Sequence, residues 1–244
     1  MENQTLKATA LLAEIAHERR LILLGGMAVI LYGMSRTTLD CDVWLDPNPS
    51  SAEWSTAIEQ IIQRHPQLRP CRIGPVPGTW DLIDNAAIRP VADSDRLVRL
   101  IGADRPIDVF FIPNELEASD FDAVWQRGRL IEEAGGLKLM EEVDLLVTKQ
   151  LTGRPHDEAD MRFLERRIEL SYSERLKTCD PVEGEKLLAR FATPALAAVA
   201  AAHESSPEMR ALGLTILREM SDEGDLIAVD ILQDVVAKRV SQEM

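Results

Sequence analysis

Short apolar runs separated by polar turns occupy the first part of the chain, and longer amphipathic stretches occupy the rest. In residues 3–18, Leu6, Ala10, Ala13 and Ile15-Ala16 fall near one stripe with Glu14 and Glu18 elsewhere, which predicts an amphipathic helix. Leu21–Leu24 is a continuous apolar run, the pattern of a buried strand. Gly25-Gly26 ends it, and Met27–Tyr32 reads as a short helix closed by Gly33. Cys41–Leu45 is a second strand, stopped by Asp46-Pro47-Asn48-Pro49. Ser50 or Ser51 then caps a helix that runs to about Arg64, with Glu53 in its first turn.

Residues 66–80 are rich in Pro and Gly and predict loop or edge structure. Ala86–Arg89 and Leu97–Ile101 are weaker strand signals. Ile107–Ile112 is a strong one, β-branched and aromatic between Pro106 and Pro113, and its single acid, Asp108, is out of place there. Phe121–Arg127 reads as helix, and Arg129–Glu132 and Leu137–Met140 as strands about Gly135-Gly136. Glu141–Leu151 and His156–Ile168 are helices parted by Gly153-Arg154-Pro155.

After residue 172 strand signals stop. Leu187–Phe191, Leu196–His203, Met209–Met220 and Leu226–Val240 predict helices, with Thr193 and Ser206 as caps before Pro194 and Pro207. Leu212, Ile216 and Met220 share a face, as do Ile227, Ile231 and Val235. The fold class is therefore α/β: a head over residues 1–140, then an all-helical region over residues 141–244, of which 141–168 would complete the cleft of the head.

A net charge of −14 makes both parts of the chain acidic and weighs against nonspecific binding to a nucleic-acid backbone. Arg64, Arg69, Arg72, Arg89, Arg96, Arg99 and Arg105 could form a local basic face, or simply a solvated surface. Few Trp and Tyr residues exclude a large base-stacking platform. Cys41, Cys71 and Cys179 have no CxxC spacing and fit free thiols in a reducing compartment. The polar N-terminus lacks a secretory pattern, and the longest apolar stretch, Leu21–Tyr32, is too short to span a bilayer. These features predict a cytoplasmic, soluble protein with no membrane contact.

The candidate chemistry lies in Leu21–Asp46. Asp40 and Asp42 are two apart, so on a strand their carboxylates project together. At about 4 Å and an effective dielectric of about 20, two such charges repel by roughly 4 kcal/mol. A hard cation such as Mg²⁺ relieves this. Gly25-Gly26 allows backbone N–H groups to approach a phosphate. Asp108 would join the pair if its strand were a neighbour, so that three carboxylates could hold one or two divalent ions against a triphosphate. Each residue also has a plainer use. The glycines could be an ordinary strand-to-helix turn, Asp108 could pair with Arg105, Arg36 with Asp40 or Asp46, and Lys149 with Asp157 or Asp160.

In order and spacing, Gly25-Gly26, Asp40-Cys41-Asp42 and Asp108 resemble the pattern of the nucleotidyltransferase superfamily. The run Arg36, Thr38, Asp40, Asp42 and the block Lys149-Gln-Leu-Thr-Gly-Arg154-Pro-His-Asp157-Glu-Ala-Asp160 look like its AbiEii-like branch. The resemblance covers about residues 20–165. It implies a nucleotidyltransferase-like mixed sheet with flanking helices and transfer of a nucleoside monophosphate from an NTP to an acceptor hydroxyl. Asp40, Asp42 and Asp108 would be catalytic and bind Mg²⁺, and Asp108 would help activate the hydroxyl. Gly25, Gly26, Arg36, Thr38 and Lys149 would bind the nucleotide. It further implies a toxin-type enzyme with an antitoxin partner, acting on RNA, protein or a small molecule. The alternative is a non-catalytic nucleotide-sensing or interaction protein on a degenerate transferase head.

Overall fold

The computed structural model describes residues 6–131, 136–150 and 155–243. Gly135, Gly153 and Arg154 of the sequence reading, with residues 3–5, Glu132 and Leu151, lie outside the described residues. The chain divides into two compact units, residues 1–161 and 162–244.

In the first unit, α1 (Ala8–Glu18) precedes β1 (Leu21–Leu24), α2 (Gly25–Leu31) and β2 (Cys41–Leu45). The buried stripe of α1 is Ala8, Leu11, Leu12, Ile15 and Ala16, a cleaner i, i+3, i+4 pattern than the predicted one, and Ala10 is exposed. Then come α3 (Ser51–Arg64), β3 (Arg69–Ile73) and β4 (Trp80–Leu82). Ser50 is the cap of α3, its hydroxyl accepting the Glu53 N–H at 3.3 Å. A 3-10 turn leads into α4 (Ile88–Asp95), followed by β5 (Leu97–Ile101) and β6 (Ile107–Phe110). The strand expected at Ala86–Arg89 is thus turn and helix. Ile88, Val91 and Ala92 form its buried stripe, and Pro90 is tolerated because first-turn N–H groups have no partner within the helix.

The unit continues with α5 (Phe121–Arg127), β7 (Arg129–Leu130), β8 (Leu137–Leu139), α6 (Glu142–Lys149) and the start of α7 (Pro155–Leu176). Among the described residues eight strands form one mixed sheet in the order β4-β3-β5-β6-β2-β1-β8-β7. Pairings β2–β6 and β1–β8 are parallel, and the others are antiparallel. Residues 66–80 supply β3 and the turn into the edge strand β4, which continues to Leu82. Trp44, Trp54, Ile58 and Phe121 are fully buried and anchor the core of this unit.

The second unit is helical. It contains the rest of α7, α8 (Pro181–Arg190), α9 (Pro194–Ala201), α10 (Pro207–Asp222) and α11 (Leu226–Glu243). Asp180, Thr193 and Ser206 cap α8, α9 and α10, each ahead of a proline. The core gathers Ala197, Ala201, Leu214, Leu217 and Ala228. On α10 the fully buried positions are Met209, Gly213, Leu214 and Leu217, whereas the predicted face of Leu212, Ile216 and Met220 is half-buried. Close approach decides this: a Cβ at Gly213 would lie 2.3 Å from Ala201 N and 2.5 Å from Ala197 O, so small residues set the α9–α10 contact. Ile227 is 64% exposed, and Ala228 takes the core position. Among the described residues no helix is long and apolar enough to cross a membrane.

Candidate metal centre

Register builds the site. On the parallel pair, Asp42 lies opposite Asp108, and on the next antiparallel pair Asp108 lies opposite Arg99. Directly paired residues share a sheet face. Asp42, Asp108 and Arg99 therefore form a row across β2, β6 and β5. Asp40 precedes Asp42 by two residues and joins the same side. Asp40, Asp42 and Asp108 each offer an oxygen within 4.8 Å of the others. Asp108 is 6% exposed, while Asp40 and Asp42 are half-buried. Cys41, between the two aspartates, is buried on the opposite face, and burial pushes its thiol up to about 11. It is packing rather than chemistry.

The glycine pair meets these carboxylates at close range. Leu24 pairs with Asp42, so Gly25 comes next to the Asp42 side chain. Gly25 has φ +63, and a Cβ there would sit 2.0 Å from Asp42 Oδ2. The Gly26 backbone N–H faces the Asp42 carboxylate and favours its charged form. A Cβ at Gly26 would lie 2.8 Å from Arg36 Nη2 and 2.9 Å from Thr38 Oγ1. The Thr38 hydroxyl in turn donates to Asp40 Oδ1 at 3.0 Å. Gly25, Gly26, Arg36, Thr38, Asp40 and Asp42 are thus one contiguous cluster.

Two ion-pair systems flank it. Arg99 donates through Nε to Asp108 Oδ1 at 2.6 Å and through Nη2 to Asp108 Oδ2 at 2.7 Å and Asp40 Oδ2 at 3.0 Å. On the other side, Lys149 Nζ lies 2.9 Å from Asp157 Oδ1 and 2.7 Å from Asp160 Oδ2. Arg36 Nη1 reaches the same oxygen of Asp160. Arg36 therefore pairs with Asp160 instead of Asp40 or Asp46, and Asp46 pairs with Arg20 at 2.6 Å. The ion-pair partner of Asp108 is Arg99, not Arg105, since β5 is hydrogen-bonded to β6.

Sequence reasoning grouped Arg99 with arginines of a local basic face or a solvated surface and missed this role. The available signal was its position in Leu97–Ile101, where Val98 and Leu100 alternate with it and are fully buried. Trp80 was missed as well. Its ring lies under the Arg99 guanidinium, with Cζ 3.8 Å from the centroid.

The electrostatics fit a divalent cation. Asp42 is pushed up to about 7, first by burial and then by the charges of Asp108 and Asp40, against the pull of Lys149 and the Gly26 N–H. A carboxylate that resists ionising beside two others gains most from a hard ion with oxygen ligands. The folded state holds the Asp42 proton up to about 7, whereas the ordinary value is 3.8, so the folded state binds more protons in between. With metal chelated, this group stabilises the fold fully at low pH, and that contribution is lost as pH rises to about 7. Thermal melts in chelator should show the loss between pH 4 and pH 7, and the Asp42→Asn variant should lack it. An unchanged pH profile in that variant would contradict the assignment.

No protein-family model matches the chain, and neither does any curated protein.

Proposed function

We propose that the chain is a metal-dependent nucleotidyltransferase that moves a nucleoside monophosphate from an NTP to an acceptor hydroxyl. The observation that carries this reading is the approach of three carboxylates to within 4.8 Å beside a glycine turn that contacts one of them. Asp40, Asp42 and Asp108 would hold one or two Mg²⁺ ions. Bound there, the metal would neutralise phosphate charge and polarise the reacting phosphoryl group. The chain's own residues position the reactants. Gly25-Gly26 and Thr38 offer donors beside the carboxylates, and Arg36 and Lys149 supply positive charge next to them. The acceptor oxygen bonds to the α-phosphorus as the bond to the pyrophosphate oxygen breaks, and the hydroxyl proton passes to Asp108. Little covalent work is asked of the protein, so positioning and charge carry the rate.

The acidic balance of the chain favours a small-molecule or protein hydroxyl over an RNA backbone bound without specificity. A toxin-type role with a cognate antitoxin is consistent with the resemblance of residues 20–165.

Incubation with Mg²⁺ and each α-labelled NTP tests the reading. Wild type should release pyrophosphate and label an acceptor. Asp40→Ala with Asp42→Ala should lower the rate by at least about 10³-fold, the order that charge-stabilising groups contribute. Equal labelling by wild type and the double variant would end the enzyme reading. Tight NTP binding without turnover would favour a nucleotide sensor.

A further inference from the structure

We propose that Arg99 is a displaceable counter-ion, competing with an incoming divalent cation for the oxygens of Asp108 and Asp40. The inference rests on the metal-centre reading above and adds how that centre is filled.

Arg99 engages both oxygens of Asp108 and one of Asp40, at 2.6, 2.7 and 3.0 Å. The Asp108 side chain is 8% exposed, so few other directions are open to it. A cation that takes an Asp108 oxygen must meet the guanidinium at contact range, where two positive charges repel. Arg99 and metal therefore compete for the same acceptor oxygens.

Arg99 already has a contact that it keeps when the carboxylates are lost. Its Cζ lies 3.8 Å from the centroid of the Trp80 ring, on the outermost strand β4. An aromatic face holds a guanidinium without consuming a carboxylate. The planar fork also fits phosphate oxygens as well as it fits carboxylate. An anion that arrives with the metal would accept the displaced guanidinium. Filling of the centre is then favoured when metal and phosphate arrive together, and each alone binds less well.

The competition makes a prediction opposite to that for a supporting residue. Removing a group that orients metal ligands weakens metal binding. Removing a competitor strengthens it. The test measures Mn²⁺ affinity of the full chain at pH 8 from the electron paramagnetic resonance signal of free Mn²⁺. Arg99→Gln should bind about tenfold more tightly than wild type, the change one charge-assisted contact makes. Arg99→Lys keeps the charge but not the fork and should fall between them.

A second measurement needs no change at Arg99. Adding Mg²⁺ to wild type should alter tryptophan emission, because the guanidinium shifts over Trp80, and Trp80→Phe should lose that change. This reading and Arg99→Lys stand if Arg99→Gln does not fold, which circular dichroism reports. Equal or weaker Mn²⁺ binding by both Arg99 variants, with tryptophan emission unmoved in wild type, would overturn the proposal and leave Arg99 as a fixed support. Failure of wild type and every variant to bind Mn²⁺ would remove the metal centre itself, a separate and recognisable result.

Discussion

Gly25→Ala should abolish divalent-metal binding and destabilise the fold by about 2–6 kcal/mol, the sum of a left-handed backbone cost and an overpacking cost. Gly25 has φ +63, and its added methyl would fall 2.0 Å from Asp42 Oδ2 and 2.5 Å from Asp42 Cγ. The carboxylate cannot retreat freely, because Asp42 is fixed in β2 by pairing with Leu24 on one side and Asp108 on the other. Relief must come from moving β1 against β2 or from turning the carboxylate away from Asp40 and Asp108, and either one dismantles the site. Gly78→Ala is the control. It also has positive φ, +82, but nothing lies within 4 Å of its Cβ, so it carries the backbone cost without the collision. Gly26→Ala should be milder than Gly25→Ala, since Gly26 lacks a left-handed φ and its nearest contacts, Arg36 Nη2 at 2.8 Å and Thr38 Oγ1 at 2.9 Å, are longer than the 2.0 Å at Gly25. Urea unfolding and Mn²⁺ titration of the three variants measure both effects. Gly25→Ala behaving like Gly78→Ala would show that the close contact with Asp42 is not a constraint.

Asp42→Asn should move stability and metal affinity in opposite directions. The Asp42 carboxyl is held up to about 7 by burial and by two neighbouring acids, so at pH 8 the fold bears an ionised group it disfavours. The isosteric amide removes that charge, and unfolding in chelator at pH 8 should cost about 1–2 kcal/mol more than for wild type. The same change removes one of the three proposed anionic ligands and should weaken divalent-metal binding by roughly 100-fold or more. Metal at 100 times its Kd should then reverse the order, adding about 2.7 kcal/mol to wild type and little to the variant. Loss of stability on Asp42→Asn in chelator would show instead that Asp42 acts as a structural anion for Lys149.

Local signals account for what the sequence made visible. β1, β2, α3, β5 and α5 have the predicted bounds. Each is an apolar run or stripe closed by Gly, Pro or a capping residue, so the information lies within a few positions. The hairpin β3–β4 was visible only as edge structure. Pro70 and the polar residues around it have weak strand preference, and pairing of β3 with β5 overrides that preference. In α10 the larger aliphatic side chains suggested one face, and the backbone approach at Gly213 selected another.

The site divides along the same line. Asp40 and Asp42 share a period of two, and Asp108 stood out as an acid in an apolar strand, so all three were legible. Arg99 and Trp80 were not. Their relation to Asp108 arises from the register of β5 on β6 and from the position of β4 at the sheet edge, and neither is written in local spacing. The pairing of Arg36 with Asp160 spans 124 residues and was invisible for the same reason.

Anomalous scattering from a crystal soaked with Mn²⁺ and a nonhydrolysable NTP tests the shared centre most directly. The arrangement of β2 and β6 calls for a peak within bonding distance of oxygens of Asp40, Asp42 and Asp108, with the phosphates beside Gly25-Gly26. A peak elsewhere, or none at these three carboxylates while Arg99 still holds Asp108, would contradict it.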